Sequence, residues 1–86
     1  MKYIIIAFKS RNNLMSFAKL LRINGMIANI INTPRTTSIN CGLSVKTDYR
    51  NLNNVTKLLN QSNIDGFLGV YLVIRNGMQE QTQRLM

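Results

Sequence analysis

Apolar and polar positions follow two different periods along this chain. Residues 2–8 (KYIIIAF) form a β-rich run too short for an independent helix. Ser10 is placed to cap a helix in which Leu14, Phe17, Ala18 and Leu21 recur at helical spacing. Gly25 then stands where a helix end favours a left-handed residue. Residues 26–31 are a second apolar run, and 32–40 are polar with the chain's single proline, a loop. Residues 42–47 alternate, with Leu43 and Val45 apolar and Ser44 and Lys46 polar. Asp48 is a good N-cap for a second helix carrying Leu52, Val55, Leu58 and Leu59 on one face. Gly66 opens the longest apolar run, 67–74, which ends at Arg75-Asn76-Gly77.

The order is βαββαβ. It predicts an α+β, ferredoxin-like split βαβ domain over residues 1–77, a four-stranded antiparallel sheet with two helices on one face. Residues 78–86 read as a polar C-terminal tail that frays or forms a short terminal helix. Successive strand residues point to opposite faces, so Ile4, Ile6 and Phe8 with Leu68, Val70, Leu72 and Ile74 suit the helix side. Tyr3, Ile5 and Ala7 with Phe67, Gly69, Tyr71 and Val73 then project the other way. That predicts an apolar patch larger than a monomer tolerates, and a homo-oligomer through the open sheet face. A terminal segment crossing over the face is the other way to cover it.

Composition narrows the chemistry. The 86 residues make one domain, with 45% apolar positions as in a folded protein. There is no histidine, one cysteine (Cys41), and three acids, Asp48, Asp65 and Glu80. These exclude a protein-only zinc site, Ser–His or Cys–His catalysis, and a carboxylate-rich calcium site. Paired-carboxylate hydrolysis would need two of three acids that sit at element boundaries or in the tail. No metal and no resident cofactor is expected, and a carrier or binding protein is favoured over an enzyme. Eleven Lys and Arg give a net charge of +8, which points to an anionic partner without naming one. The first apolar run stops at Phe8 without a small-residue cleavage pattern, and no segment approaches the roughly 20 apolar residues of a membrane span. A lone cysteine makes no internal disulfide, so the expected compartment is a reducing cytoplasm. Twelve asparagines spread over the whole chain carry no low-complexity signal.

Candidate chemistry converges on one loop, TPRTTSINCG, residues 33–42. Alone, a cysteine near a strand start is more often a small buried hydrophobe than a nucleophile. Its neighbours change that balance. Gly42 removes a side chain and opens access to the Cys41 backbone. Arg35, following the fixed φ of Pro34, is placed to fold back over the thiol, and a nearby cation favours the nucleophilic thiolate. Hydroxyls of Thr36, Thr37 and Ser38 are candidates to cradle an anionic oxygen, sulfur or selenium species. Ser10 and Arg11, after Lys9 at the start of the first helix, are a second candidate anion site.

The segment TPRTTSINCGLSV, preceded by FKS and an A-x-x-L-x-x-x-G stretch, resembles the selenium/sulfur carrier protein-like family of short bacterial proteins. The resemblance covers about residues 2–75; Thr33, Pro34, Arg35, Ser38, Cys41 and Gly42 match its most specific part. It implies a carrier whose Cys41 holds sulfur or selenium covalently, as a persulfide or selenopersulfide, and exchanges it with donor and acceptor proteins. Thiolate attack on a persulfide needs neither a histidine nor a second cysteine. Three other readings remain: a basic RNA-binding module, a regulatory module for small anions, and a thiol redox sensor. The RNA reading would use Tyr3 and Tyr71 as stacking platforms, yet strand 42–47 holds no aromatic residue and the basic residues are scattered.

Overall fold

The computed structural model describes residues 1–37, 42–62, 64 and 66–86. The chain runs β1 (Lys2–Phe8), α1 (Arg11–Ile23), β2 (Asn29–Asn32), β3 (Leu43–Asp48), a 3-10 turn (Tyr49–Asn51), α2 (Leu52–Gln61), β4 (Phe67–Asn76) and β5 (Gln79–Arg84). The described strands form one five-stranded antiparallel sheet in the order β2-β3-β1-β4-β5, so the sheet has one strand more than expected.

The fifth strand corrects the polar tail. Residues 79–84 pair with β4 from Asn76↔Gln79 to Tyr71↔Arg84. Gly77, at φ +60°, opens the two-residue connection at a position where glycine accepts a positive φ. Backbone bonds then continue past the strand, Leu85 N–H and Met86 N–H both donating to the Val70 carbonyl at 2.7 and 3.3 Å. Leu85 reaches the main core, which ties down an otherwise polar segment.

The period-two faces hold. Ile4, Ile6, Phe8, Val45 and Val70 share a core with Leu14, Phe17, Ala18 and Leu21 of α1 and Val55 of α2, so both helices cover one face. Gly25 takes φ +82°, as a helix end requires, and Arg22 donates from Nε and Nη2 to the Ala28 carbonyl at 3.1 and 2.7 Å, holding the turn into β2. Asp48 Oδ1 accepts from Arg50 N–H at 2.9 Å and so caps the 3-10 turn leading into α2. The same contacts with Arg50 hold its carboxyl below the usual aspartate range. Ser10 occupies the N-cap of α1 with extended backbone, but its hydroxyl makes no capping bond, contrary to expectation.

The second face differs from expectation in two respects. The ladder between β1 and β4 shifts register after Ala7, so that Phe8 lies opposite Phe67. Such a slip moves a side chain to the other face. Phe67 therefore meets Phe8 edge-on at 6.1 Å instead of joining the second face. More importantly, that face is not open. Tyr3, Ile5, Tyr71 and Val73 form a small core of their own, with exposures of 7, 0, 3 and 0%, packed with Ile31. The exposed patch that argued for a homo-oligomer through this face does not exist.

Candidate functional site

Residues 33–37 of the β2–β3 loop run across this second face. The loop's mouth closes where Thr33 N–H donates to the Gly42 carbonyl at 3.1 Å. The hydroxyls of Thr33 and Ser44 are 2.7 Å apart, which anchors the start of the loop on β3. Thr37 donates to the Pro34 carbonyl from both N–H (3.2 Å) and Oγ1 (2.9 Å), closing a tight turn with Arg35 and Thr36 at its centre. The far side is held by β5. Thr82 Oγ1 donates to the Thr36 carbonyl at 2.8 Å, and Thr36 Oγ1 donates to Glu80 at 3.3 Å. Between β3 and β5 in the sheet lie β1 and β4, so residues 33–37 cross both strands. Beneath that crossing are Ile5, Tyr71 and Val73.

Charged side chains complete the face. Lys46 Nζ stands 4.3 Å from the centre of the Tyr3 ring, and Arg84 lies 5.9 Å from that of Tyr71. Burial, followed by the charge of Glu80, raises the pKa of the Tyr3 hydroxyl above its usual range, against a smaller opposing effect of Arg75. Tyr3 and Tyr71 are thus unavailable as stacking platforms, which removes the surface the RNA reading needs.

The sequence-predicted residues divide accordingly. The hydroxyls of Thr36 and Thr37 are engaged within the fold, on Glu80 and on the Pro34 carbonyl. Arg35 is exposed at the turn and forms no ion pair among the described residues. Ser38 and Cys41 lie outside the described residues, so the pairing of Arg35 with the thiol does too. Gly42 is exposed; among the described residues a Cβ there would meet nothing within 4 Å, and its φ is not positive.

Gly42 and Arg11, far apart in sequence, come together. With Phe8, Lys9, Leu14 and Leu43 they line an open hollow of ≈ 210 Å³ at the start of α1. Among the described residues two cations and no acid line it, and α1 carries no acid in its first turn. Since Cys41 precedes Gly42 in the chain, this is the described hollow that borders the cysteine loop. Hollows of ≈ 260 and ≈ 220 Å³ lie elsewhere, one lined by Asn24, Met26 and α2 residues and one by Met1, Ile27 and Lys46 among others. Among the described residues no three His, Cys, Asp or Glu side chains gather as metal ligands, and no helix is long and apolar enough to cross a membrane.

A family model described as "Putative Se/S carrier protein-like" matches residues 2–71, from β1 into β4 and across the whole loop. The chain belongs to this family. No curated protein and no solved structure matches the chain. The matched span of the Se/S carrier protein-like family ends before β5, although Glu80 and Thr82 of that strand hold the family loop. Sequence reasoning misses both residues, because they lie 44 and 46 positions from Thr36. The signal that points toward them is Asn76-Gly77, the strongest short hairpin dipeptide. Lys9, the other cation on the hollow, stands out in the sequence only as a neighbour of Ser10.

Proposed function

We propose that this chain is a sulfur or selenium carrier: Cys41 holds the transferred atom as a persulfide or selenopersulfide and hands it to a partner protein. The observation that carries the reading is the family match across the loop containing the only cysteine. In the loading step the Cys41 thiolate attacks the terminal sulfur of a donor persulfide. One S–S bond forms on Cys41, the donor's S–S bond breaks, and the donor leaves as a thiolate. The terminal sulfur crosses in the protonation state it had on the donor, and there is no net oxidation. Unloading repeats the exchange with an acceptor nucleophile, and selenium follows the same balance. No proton relay is required, in keeping with a chain that has no histidine.

The residues take distinct parts in this proposal. Gly42 gives access, Arg35 stabilises the thiolate, and Ser38 contacts the anionic terminal atom. Thr36 and Thr37 hold the loop in place of the sulfur. Lys9 and Arg11, with Ser10 behind them, present positive charge on the hollow beside Gly42, where an anionic donor group is favoured. The fold is read as a ferredoxin-like split βαβ carrying an added edge strand. The setting is a bacterial cytoplasm, where a lone thiol stays reduced.

Intact mass after incubation with a persulfide donor tests the reading, with wild type beside Cys41→Ser and Arg35→Ala. One added sulfur on the wild type, none on Cys41→Ser, and a thiol pKa below about 8.5 that rises in Arg35→Ala are the expected results. A wild-type thiol that stays unmodified overturns the proposal. A small-anion module at the Lys9–Arg11 hollow is the second reading, favoured by its two cations; sulfate binding that survives Cys41→Ser and is lost in Arg11→Ala, without sulfur uptake, would establish it.

A further inference from the structure

We propose that β5 is a clamp for the family loop, with Thr82 and Glu80 acting as positioning residues that hold residues 33–37 across the sheet and so govern how fast Cys41, further along the same loop, reacts. Only the purpose of the thiol rests on the carrier reading; the clamp itself rests on geometry. The loop is fastened at both ends. On β3 it is held by the Thr33–Ser44 hydroxyl contact, and on β5 by the Thr82–Thr36 bond at 2.8 Å and the Thr36–Glu80 bond at 3.3 Å. Register places these groups correctly. Thr82 lies opposite Val73 and Glu80 opposite Arg75, so both side chains rise on the face that the loop crosses.

Among the described residues nothing in the matched span supplies this second fastening: the family match stops at residue 71 and the strand begins at Gln79. Without β5 the sheet would end at β4, and the Thr36 carbonyl would lose its partner on that side. On this face the strand's other side chain, Arg84, lies over the Tyr71 ring. The alternate residues Gln79, Gln81 and Gln83 are exposed, whereas Glu80 and Thr82 are half-buried against the loop. A polar strand appended beyond the family core, with its two half-buried side chains bonded to the family loop, is built to position that loop.

The test uses the full chain and the variants Thr82→Val, Thr82→Ser and Glu80→Ala, with two readouts. These are amide hydrogen exchange in a peptide covering residues 33–37, and the rate of Cys41 alkylation by iodoacetamide across pH. Losing one such hydrogen bond raises local opening about fivefold. Thr82→Val is expected to speed both exchange and alkylation by about that factor, Glu80→Ala by less, while Thr82→Ser behaves as wild type because it keeps the hydroxyl. Unchanged alkylation in Thr82→Val and Glu80→Ala overturns the proposal, as does a Thr82→Ser variant as loose as Thr82→Val. Alkylation needs only a thiol, so a protein that takes up no sulfur but shows these rate changes loses the carrier reading and keeps the clamp. Sulfur uptake with equal rates in all variants does the reverse.

Discussion

Ile5 gives the sharpest measure of whether the second sheet face is a true core. It has no exposed surface, yet no helix lies over it; its neighbours on that face are Tyr3, Tyr71 and Val73, and residues 33–37 of the loop, anchored at Thr33 and Thr36, run across it. If the loop packs as described, Ile5→Ala opens a cavity and costs about 2–5 kcal/mol, the range for buried isoleucine truncation. On a face left open to solvent the same change would lie within about 0.5 kcal/mol, as expected for Ile27→Ala at 76% exposure. An 86-residue domain has about 4–13 kcal/mol to lose, so the loss is large but measurable. Urea unfolding followed by far-UV circular dichroism reads it, with Ile6→Ala beneath the helices as the fully buried reference. Ile5→Val, at about 0.5–1.5 kcal/mol, provides a smaller step should the alanine variant fail to fold. An Ile5→Ala cost under about 1 kcal/mol beside an Ile6→Ala cost of several would refute the argument, because the loop would then not shield the face.

Two further predictions concern pH and backbone. The Tyr3 hydroxyl has its folded pKa raised by burial and Glu80, so its contribution to stability is present below about pH 10 and lost as pH rises through the folded value. Tyr3→Phe should flatten the decline in urea midpoint between pH 9 and 11, and parallel curves for the two proteins would contradict this. Gly66 sits at φ +82° with Asn13 Nδ2 only 3.3 Å from where a Cβ would stand, whereas Gly25 has the same φ and open space around it. Gly25→Ala should cost roughly 1–2 kcal/mol from left-handed strain alone, and Gly66→Ala more; equal thermal shifts would show that the contact relaxes freely.

Residue patterning carried the strands and helices because burial imposes a period. The Ile4/Ile6/Phe8 and Tyr3/Ile5 faces were legible for that reason. The slip that moves Phe67 beside Phe8 was not, since a bulge leaves no trace in an alternating pattern that is apolar on both faces. The QEQTQR strand was illegible by hydropathy, as neither of its faces is apolar, although Asn76-Gly77 announced the hairpin. The site divides in the same way. Its loop was visible as a motif, but the partners of Thr36 are residues more than forty positions away. Gly42 and Arg11 meet only because β1, β3 and α1 converge.

That division bears on how a carrier of this design would manage charge. The loop hydroxyls at Thr33, Thr36 and Thr37 are committed, to Ser44, Glu80 and Pro34 respectively. They hold the loop down on an apolar face and are not free to follow a sulfur that arrives and leaves. The cations differ. Arg35, Lys9 and Arg11 form no ion pair among the described residues, and Asp48–Arg50 is the ion pair found there. A thiolate, a persulfide anion and an anionic donor each carry negative charge, so cations with no ion pair among the described residues would serve every stage of transfer, whereas a fixed hydroxyl cradle would fit one geometry. The work would then be separated: hydroxyl contacts fix where residues 33–37 lie, and positive charge on Arg35, Lys9 and Arg11 would meet whatever anion the thiol accepts or surrenders.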